Sequence, residues 1–256
     1  MPEAPEILFL TTLLKKKFIG GVINVDMLEI SNYEIIDIMC KGKLLWLKLK
    51  TYNKFVYLHL HLGLTGWIVI GNTKNIKYSF SITKTNKEYI VNIEDKTKLS
   101  KLNLYDEKEH NILINKLGID IFTSQFTEQI FKSTLQSKKM ILASFLLKQE
   151  LFCGIGNYIK NESMFLSNLD IHIKTNELTD ENITTLYNNI LYVAFSRLYE
   201  YLKNAKIEKS LPIDIKEHSP INLEIPYIYK IYKRKTTDDG KKVKIIKIGG
   251  RDTYYV

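Results

Sequence analysis

The chain has 256 residues, 45% of them hydrophobic, enough for one large domain or two small ones with buried cores. Its formal net charge of +9 favours a polyanionic partner, nucleic acid ahead of anionic lipid. No apolar run nears the ~20 residues of a membrane span, the opening residues do not read as a signal peptide, and Cys40 and Cys153 supply neither a disulfide framework nor a thiolate zinc site, so the expectation is an intracellular, reduced protein with no membrane association and no structural metal.

Lys, Ile and Asn crowd the sequence, as in an AT-rich genome, and part of the basicity belongs to that drift. Arginine occurs only at Arg197, Arg234 and Arg251. With lysine as the default cation, an arginine marks a place that needs a planar fork.

The chain opens Met1-Pro2-Glu3-Ala4-Pro5-Glu6. Removal of Met1 leaves the secondary amine of Pro2 followed at once by the Glu3 carboxylate. A free α-amine has a pKa of roughly 7.7–8, against about 10.4 for lysine, so it keeps a usable lone pair near neutrality. Such an amine can attack an aldehyde carbon and form a Schiff base, and a secondary amine gives an iminium that acts as an electron sink. Many chains carry a proline here without any function following from it.

Residues 6–17 (EILFLTTLLKKK) carry helical spacing and close in lysines, favourable at a helix C-terminus. Residues 22–104 read as short strands rich in β-branched and aromatic residues, and LLWLKLK and YLHLHLGL alternate apolar with polar. This predicts a β-sandwich or barrel. Within it, Lys41-Gly42-Lys43 leads into LLWLKL, where Lys43 at a strand start could hold a phosphate or merely be solvated. His61-Leu62-Gly63-Leu64-Thr65-Gly66 makes a tight loop. Its Leu64 tip either folds back onto the core or serves as a wedge between bases.

The character changes near residue 107. EKEHNILINKL reads as a short helix and 118–126 as a linker. Thr127 is expected to cap EQIFKSTLQ, with Glu128 in its first turn. Residues 138–151 are expected to be helical, as are 158–166 and about 180–204, with Phe152–Asn157 as an interruption and 205–226 as loop. In the interruption, Gly154 and Gly156 bracket Ile155 and Asn157 opens the next helix. Such an N-terminus offers backbone N–H groups to an anion such as a phosphate. A corner needed only for packing is the alternative. The last thirty residues read as β: a strand over YIYKIYKRK, a two-residue turn at Asp239-Gly240, a strand over KKVKIIKI, then a bend at Gly249-Gly250. That bend would display Arg251, able to fork onto a phosphate or enter the minor groove.

MPEAPE, KGKLLWL, HLGLTG, LLKQELFCGIGNYIKNESMF and YKRKTTDDGKKV…GGRDTYY, in this order along the whole chain, resemble the motifs of the formamidopyrimidine-DNA glycosylase / endonuclease VIII family. The resemblance implies an α+β chain of two domains. Residues 1–118 would be a catalytic β-sandwich flanked by an N-terminal helix. Residues 119–256 would be a helical DNA-binding domain with a helix–two-turn–helix at about 138–167 and a zincless antiparallel β-finger at about 227–256. It also implies roles. Pro2 attacks C1′ of the damaged nucleotide, and Glu3 moves protons. Lys43 joins that catalytic set and, with Asn157, holds phosphates. Leu64 fills the gap left by the flipped base, and Arg251 grips the backbone. His61, Gly154 and Gly156 lie in the DNA-binding motifs.

The family's usual finger holds zinc with four cysteines, and this one has none, so packing of the final hairpins would replace the metal. The family's Arg-Arg-Phe-Gly loop has no arginine or phenylalanine in the matching stretch, which leaves Leu64 as the clear wedge. Both departures resemble the zincless, endonuclease VIII-like branch. The expected activity is therefore a bifunctional glycosylase/AP lyase acting by β,δ-elimination, on oxidised pyrimidines and hydantoins in preference to 8-oxoguanine. The partner is damaged double-stranded DNA, with single strands also open. The protein would act as a monomer without metal or cofactor. The rival expectation is a non-catalytic binder of damaged or bent DNA.

Overall fold

The computed structural model describes residues 2–52 and 54–256. The chain divides into two compact units, one of Pro2 and Glu6–Lys116, the other of Glu3–Pro5 and Leu117–Val256.

In the first unit, α1 (Ala4–Phe18) buries Ile7, Leu10, Leu14 and Phe18, a helical stripe, and ends in Lys15, Lys16 and Lys17. The strands are β1 (Val22–Val25), β2 (Ile30–Lys41), β3 (Leu44–Thr51), β4 (Lys54–His61), β5 (Trp67–Ile70), β6 (Ile76–Lys84), β7 (Lys87–Glu94) and β8 (Lys101–Tyr105). They form one antiparallel sheet in the order β5-β7-β6-β1-β2-β3-β4-β8, which makes the β-sandwich. Irregular registers in β2 between Ile35 and Asp37, and in β6 between Ile76 and Tyr78, bend these strands. Leu45, Leu47 and Leu49 on β3 pair with Leu60, Leu58 and Val56 on β4, and all six are buried.

The opposite face of β3 and β4 is covered as well. Asp106 closes a capping box on α2 (Glu107–Asn115), and this helix lays His110 over the sheet. His59 Nε2 and His110 Nδ1 are 2.8 Å apart, and the Tyr57 ring stacks on His110 at 3.9 Å. Trp46 and Tyr105 complete the aromatic nest, with Glu107 and Lys48 the charges that face it. Burial, then the neighbouring His110, pushes His59 down to about 4. Burial likewise holds His110 below the usual histidine range. A histidine kept neutral in the fold binds fewer protons than in the unfolded chain, so stability rises with pH through the window between the two pKa values. The protein should lose up to about 3 kcal/mol of unfolding free energy as pH falls from 7 to 4. A His59→Gln/His110→Gln double variant should lack that slope in urea unfolding followed across the same pH range.

In the second unit, β9 (Ile119–Asp120) falls inside the expected linker and pairs in parallel with β10 (Phe152–Cys153). Thr127 caps α3 (Glu128–Gln136), as the sequence indicates. Residues 138–151 are not one helix; only α4 (Leu142–Phe145) is helical. Strand-like contacts take the preceding backbone: Ile141 bridges Lys174, and Thr175 bonds Lys138 and Met140. Next come α5 (Asn157–Leu166), α6 (Asp180–Ala205) and the short α7 (Ile213–Glu217), the last within the expected loop. Phe126, Phe131, Phe145 and Phe152 interlock ring on ring to form the core beneath them.

The unit closes on a hairpin of β11 (Lys244–Ile248) and β12 (Arg251–Tyr255). Gly249 and Gly250 form its turn, both at positive φ. A Cβ on Gly249 would lie 2.6 Å from Ser144 Oγ. Two expectations fail in this region. Residues 227–235 form no strand, because their backbone donors are drawn elsewhere. The turn before β11 spans Thr237 to Lys241 rather than two residues, with the Thr237 hydroxyl receiving the Lys241 N–H at 3.1 Å.

Candidate active site

The corner before α5 is built around a carboxylate. Gly154, at φ 108°, takes a conformation that suits glycine. Gln149 braces the turn from inside: its Oε1 accepts from Gly154 N at 3.1 Å, and its Nε2 donates to Ile155 O at 2.9 Å. Ala4 N donates to Gly154 O at 3.2 Å and brings Glu3 to the mouth of the helix. The Glu3 carboxylate, fully buried, receives Tyr158 N at 2.8 Å on Oε1 and Ile159 N at 3.2 Å on Oε2. It thus sits where the helix dipole favours an anion. Gly156 is extended, so its need for glycine is steric: a Cβ there would lie 2.1 Å from Glu3 Cδ.

This corrects the expected use of the corner. The free N–H groups of α5 at Tyr158 and Ile159 serve Glu3, and Gly154 N serves Gln149, so these groups are not held open for a phosphate. Asn157, the first residue of α5, remains as a polar group at the corner. It is 9% exposed, its side chain bonds Tyr232, and its Oδ1 lacks a partner among the described residues. Burial and then the Glu3 charge push the Tyr232 phenol up to about 12, so it stays neutral.

Three polar residues that sequence reasoning passed over follow on the same helix. Lys160, fully buried, donates to Asp252 O at 3.1 Å and Thr253 Oγ1 at 2.9 Å. Burial brings its ammonium down to about 8, against the pull of Glu3 and Asp252. Asn161 accepts from Tyr254 N at 2.9 Å and donates to Asp252 O at 3.2 Å. Glu162, also fully buried, accepts Tyr227 OH at 2.6 Å, Lys230 N at 2.7 Å, Ile231 N at 2.9 Å and Tyr232 N at 2.7 Å. These bonds explain why 227–235 is not a strand: one carboxylate gathers three of its successive N–H groups. The signal in the sequence was the run Lys160-Asn161-Glu162 between the apolar Ile159 and Met164, which no solvent-facing stripe explains.

Arg251 opens β12 directly after the Gly249-Gly250 turn and is exposed. No cysteine or histidine occurs in 227–256, so the donor set for a zinc ion is missing from the sequence. Ile231, Val243 and Tyr254 instead form a small core there, with Phe165 and Tyr232 against it.

In the first unit, Pro2 is half-buried ahead of α1. Lys43 lies in the two-residue turn between β2 and β3, after Gly42 at φ 58°, and not at the strand start. His61 ends β4 and its Nδ1 accepts from Gly63 N at 3.3 Å. Withdrawal of its ring from water, then the charges of Lys101 and Lys43, hold it below the usual histidine range, although the residue as a whole stays exposed. Leu64 is half-buried on its loop, neither sunk in the core nor fully free.

Residues 117–198 match the H2TH domain of formamidopyrimidine-DNA glycosylase. Relatives named formamidopyrimidine-DNA glycosylase include one from Rickettsia africae, 28% identical, and one from Wolbachia of Brugia malayi, 26% identical, each alignment covering 74% of this chain and 75% of the relative. In fold the chain is similar to the formamidopyrimidine-DNA glycosylase of Lactococcus lactis (TM-score 0.75, 18% identity, 99% of this chain and 97% of the other), solved bound to AP-site DNA. It is also similar to that of Thermus thermophilus (TM-score 0.76, 20% identity, 100% and 97%). Over residues 117–198 the chain thus resembles the H2TH domain of formamidopyrimidine-DNA glycosylase, and as a whole it is similar to proteins of that name, with nothing in these similarities to separate the formamidopyrimidine-DNA glycosylase branch from the endonuclease VIII branch.

Two variants test the corner. Gly156→Ala should displace Glu3 and cost roughly 1–3 kcal/mol of stability by overpacking, read by thermal unfolding. Glu162→Gln keeps the shape but turns an amide N–H₂ toward backbone donors. It should cost about 2–3 kcal/mol in urea unfolding, with hydrogen exchange speeding up first at Lys230–Tyr232.

Proposed function

We propose that the protein is a base-excision repair enzyme, a bifunctional DNA glycosylase and AP lyase that uses Pro2 as its nucleophile. The observation that carries this reading is the buried Glu3 carboxylate, clamped by two N–H groups of α5 and fitted to Gly156, one peptide bond from Pro2. A binding protein has no need of a carboxylate held so closely beside a terminal amine.

The sugar carbon of a stacked nucleotide is out of reach, so the nucleotide must leave the helix at a cost of a few kcal/mol, least for a damaged base. With Met1 removed, the Pro2 nitrogen attacks C1′ and the damaged base departs with the bonding electrons. Glu3 takes the proton that Pro2 sheds on attack and passes it to the sugar ring oxygen, the ring C–O bond breaks, and an iminium forms between Pro2 and C1′. The iminium withdraws electrons and acidifies the C2′ hydrogen. Loss of that proton expels the 3′ phosphate, a second elimination releases the 5′ phosphate, and water frees Pro2. Each step is heterolytic and needs only these groups and water. Lys43, Asn157 and Arg251 act as phosphate-binding cations and donors, and Leu64 occupies the place of the extruded base. His61 lines the Leu64 loop.

Damaged double-stranded DNA is the proposed partner, in keeping with the AP-site DNA bound to the Lactococcus lactis relative. A finger without zinc ligands and a stretch at about Leu99–Glu109 without arginine or phenylalanine favour the endonuclease VIII-like branch, and with it oxidised pyrimidines and hydantoins.

Borohydride should trap the protein covalently on an abasic or thymine-glycol duplex, giving a stable adduct on denaturing gels. Pro2→Gly, or one residue added before Pro2, should abolish the adduct while leaving the circular dichroism spectrum unchanged. Trapping equal to wild type in both variants would remove Pro2 from the mechanism.

A further inference from the structure

The loop that carries Leu64 has hydrogen bonds of its own, Gly66 N to Leu62 O and Gly63 N to His61 Nδ1, and is also held from outside. Thr65, next to the tip, donates its hydroxyl to Asp95 Oδ1 at 2.6 Å. The same oxygen accepts Thr97 N at 3.0 Å and Thr97 Oγ1 at 2.8 Å, while Oδ2 accepts Ser100 N at 2.7 Å. Thr65 Oγ1 in turn receives Thr97 N at 3.1 Å and lies 3.0 Å from Thr97 Oγ1. Asp95 is 2% exposed, so this carboxylate is a buried hub between two loops of the first unit. Burial alone would raise its pKa, yet the hydrogen bonds from Thr65, Ser100 and Thr97 hold it below the usual carboxylate range.

The second loop is anchored independently. Lys77 Nζ donates to the carbonyls of Lys98 and Ser100, and Tyr78 OH reaches Ser100 O at 3.3 Å. The two loops touch through backbone: at Gly63, φ 61°, a Cβ would lie 2.8 Å from the carbonyl carbon of Leu99. Leu99 is 51% exposed, an apolar side chain left in solvent on a loop that is otherwise tied down. Two leucines are therefore presented by loops locked to each other and to β6.

We propose that Asp95 is a positioning residue for base extrusion, fixing the Leu64 tip, with Leu99 beside it, before DNA is met. This rests on the glycosylase reading above. A wedge that must enter a base stack is most effective when it is already ordered, because the ordering cost then falls on folding and not on binding. The sugar chemistry itself does not require the clasp. Asp95 should thus matter where a partner base and an intact stack must be replaced, and not where the nucleotide is already unstacked.

The test compares wild type, Asp95→Asn and the milder Thr65→Val on one thymine-glycol oligonucleotide, annealed to its complement or single-stranded, and on a single-stranded abasic oligonucleotide. Both variants should lower excision from the duplex, Asp95→Asn by tenfold or more. Cleavage of the single-stranded abasic site should stay within twofold of wild type. Hydrogen exchange at the amides of Leu62–Gly66 should accelerate in both variants while β3 and β4 remain protected. Equal losses on duplex and single strand, or no loss on duplex, would overturn the proposal. Unchanged exchange at Leu62–Gly66 would overturn the clasp whatever the activity. Failure of the wild type on every substrate would instead count against the enzyme reading, and the exchange experiment would still decide whether Asp95 orders the loop.

Discussion

The second unit depends on an anion at the mouth of α5. A helix N-terminus leaves backbone donors unpaired and carries a partial positive charge. Here the Glu3 carboxylate answers both needs, contributed from a residue more than 150 positions away in sequence. Gln149, Gly154 and Gly156 are shaped around it: the glutamine braces the turn, one glycine takes the backbone through positive φ, and the other leaves room where any side chain would collide. A carboxylate buried in this way is costly unless fully bonded. The N–H groups of Tyr158 and Ile159 supply those bonds.

The same helix also organises the end of the chain. Lys160 and Asn161 bind the backbone of β12, and Glu162 gathers the loop before β11. In the absence of metal-binding side chains, this region is held by charge-assisted hydrogen bonds to one buried helix and by a small apolar cluster. Hydrogen bonds to a charged acceptor are the stronger kind, and several on one carboxylate restrict the loop in direction as well as distance. Arg251 thereby begins a strand whose next two residues are tied down, which limits the freedom of its backbone although its side chain is exposed. In the first unit Asp95 plays a comparable part, one buried carboxylate ordering two loops.

Much of the fold was legible in the sequence. The stripe in α1, the alternating β3 and β4, the Thr127 cap and the long α6 all follow local rules of period and capping, and each appears where those rules put it. Two of the misreadings share a physical cause. Residues 138–151 have helical composition, but carbonyls and amides at 138–142 are captured by residues 173–175. Residues 227–235 have the look of a strand, yet Glu162 takes their donors. Lys43 falls in a turn because Gly42 can adopt positive φ, a detail that spacing alone does not fix.

The sequence by itself determined the motifs, their order and therefore the resemblance, together with the adjacency of Pro2 and Glu3 and the lack of cysteine and histidine in 227–256. Those are matters of which residues occur and in what succession. Only the tertiary structure decided what the α5 N-terminus holds, why Gly156 must lack a side chain, and how Lys160, Glu162 and Asp95 are used. Each of these rests on a hydrogen bond or contact between residues distant in the chain, and buried polar groups find their partners through the fold and not through sequence proximity.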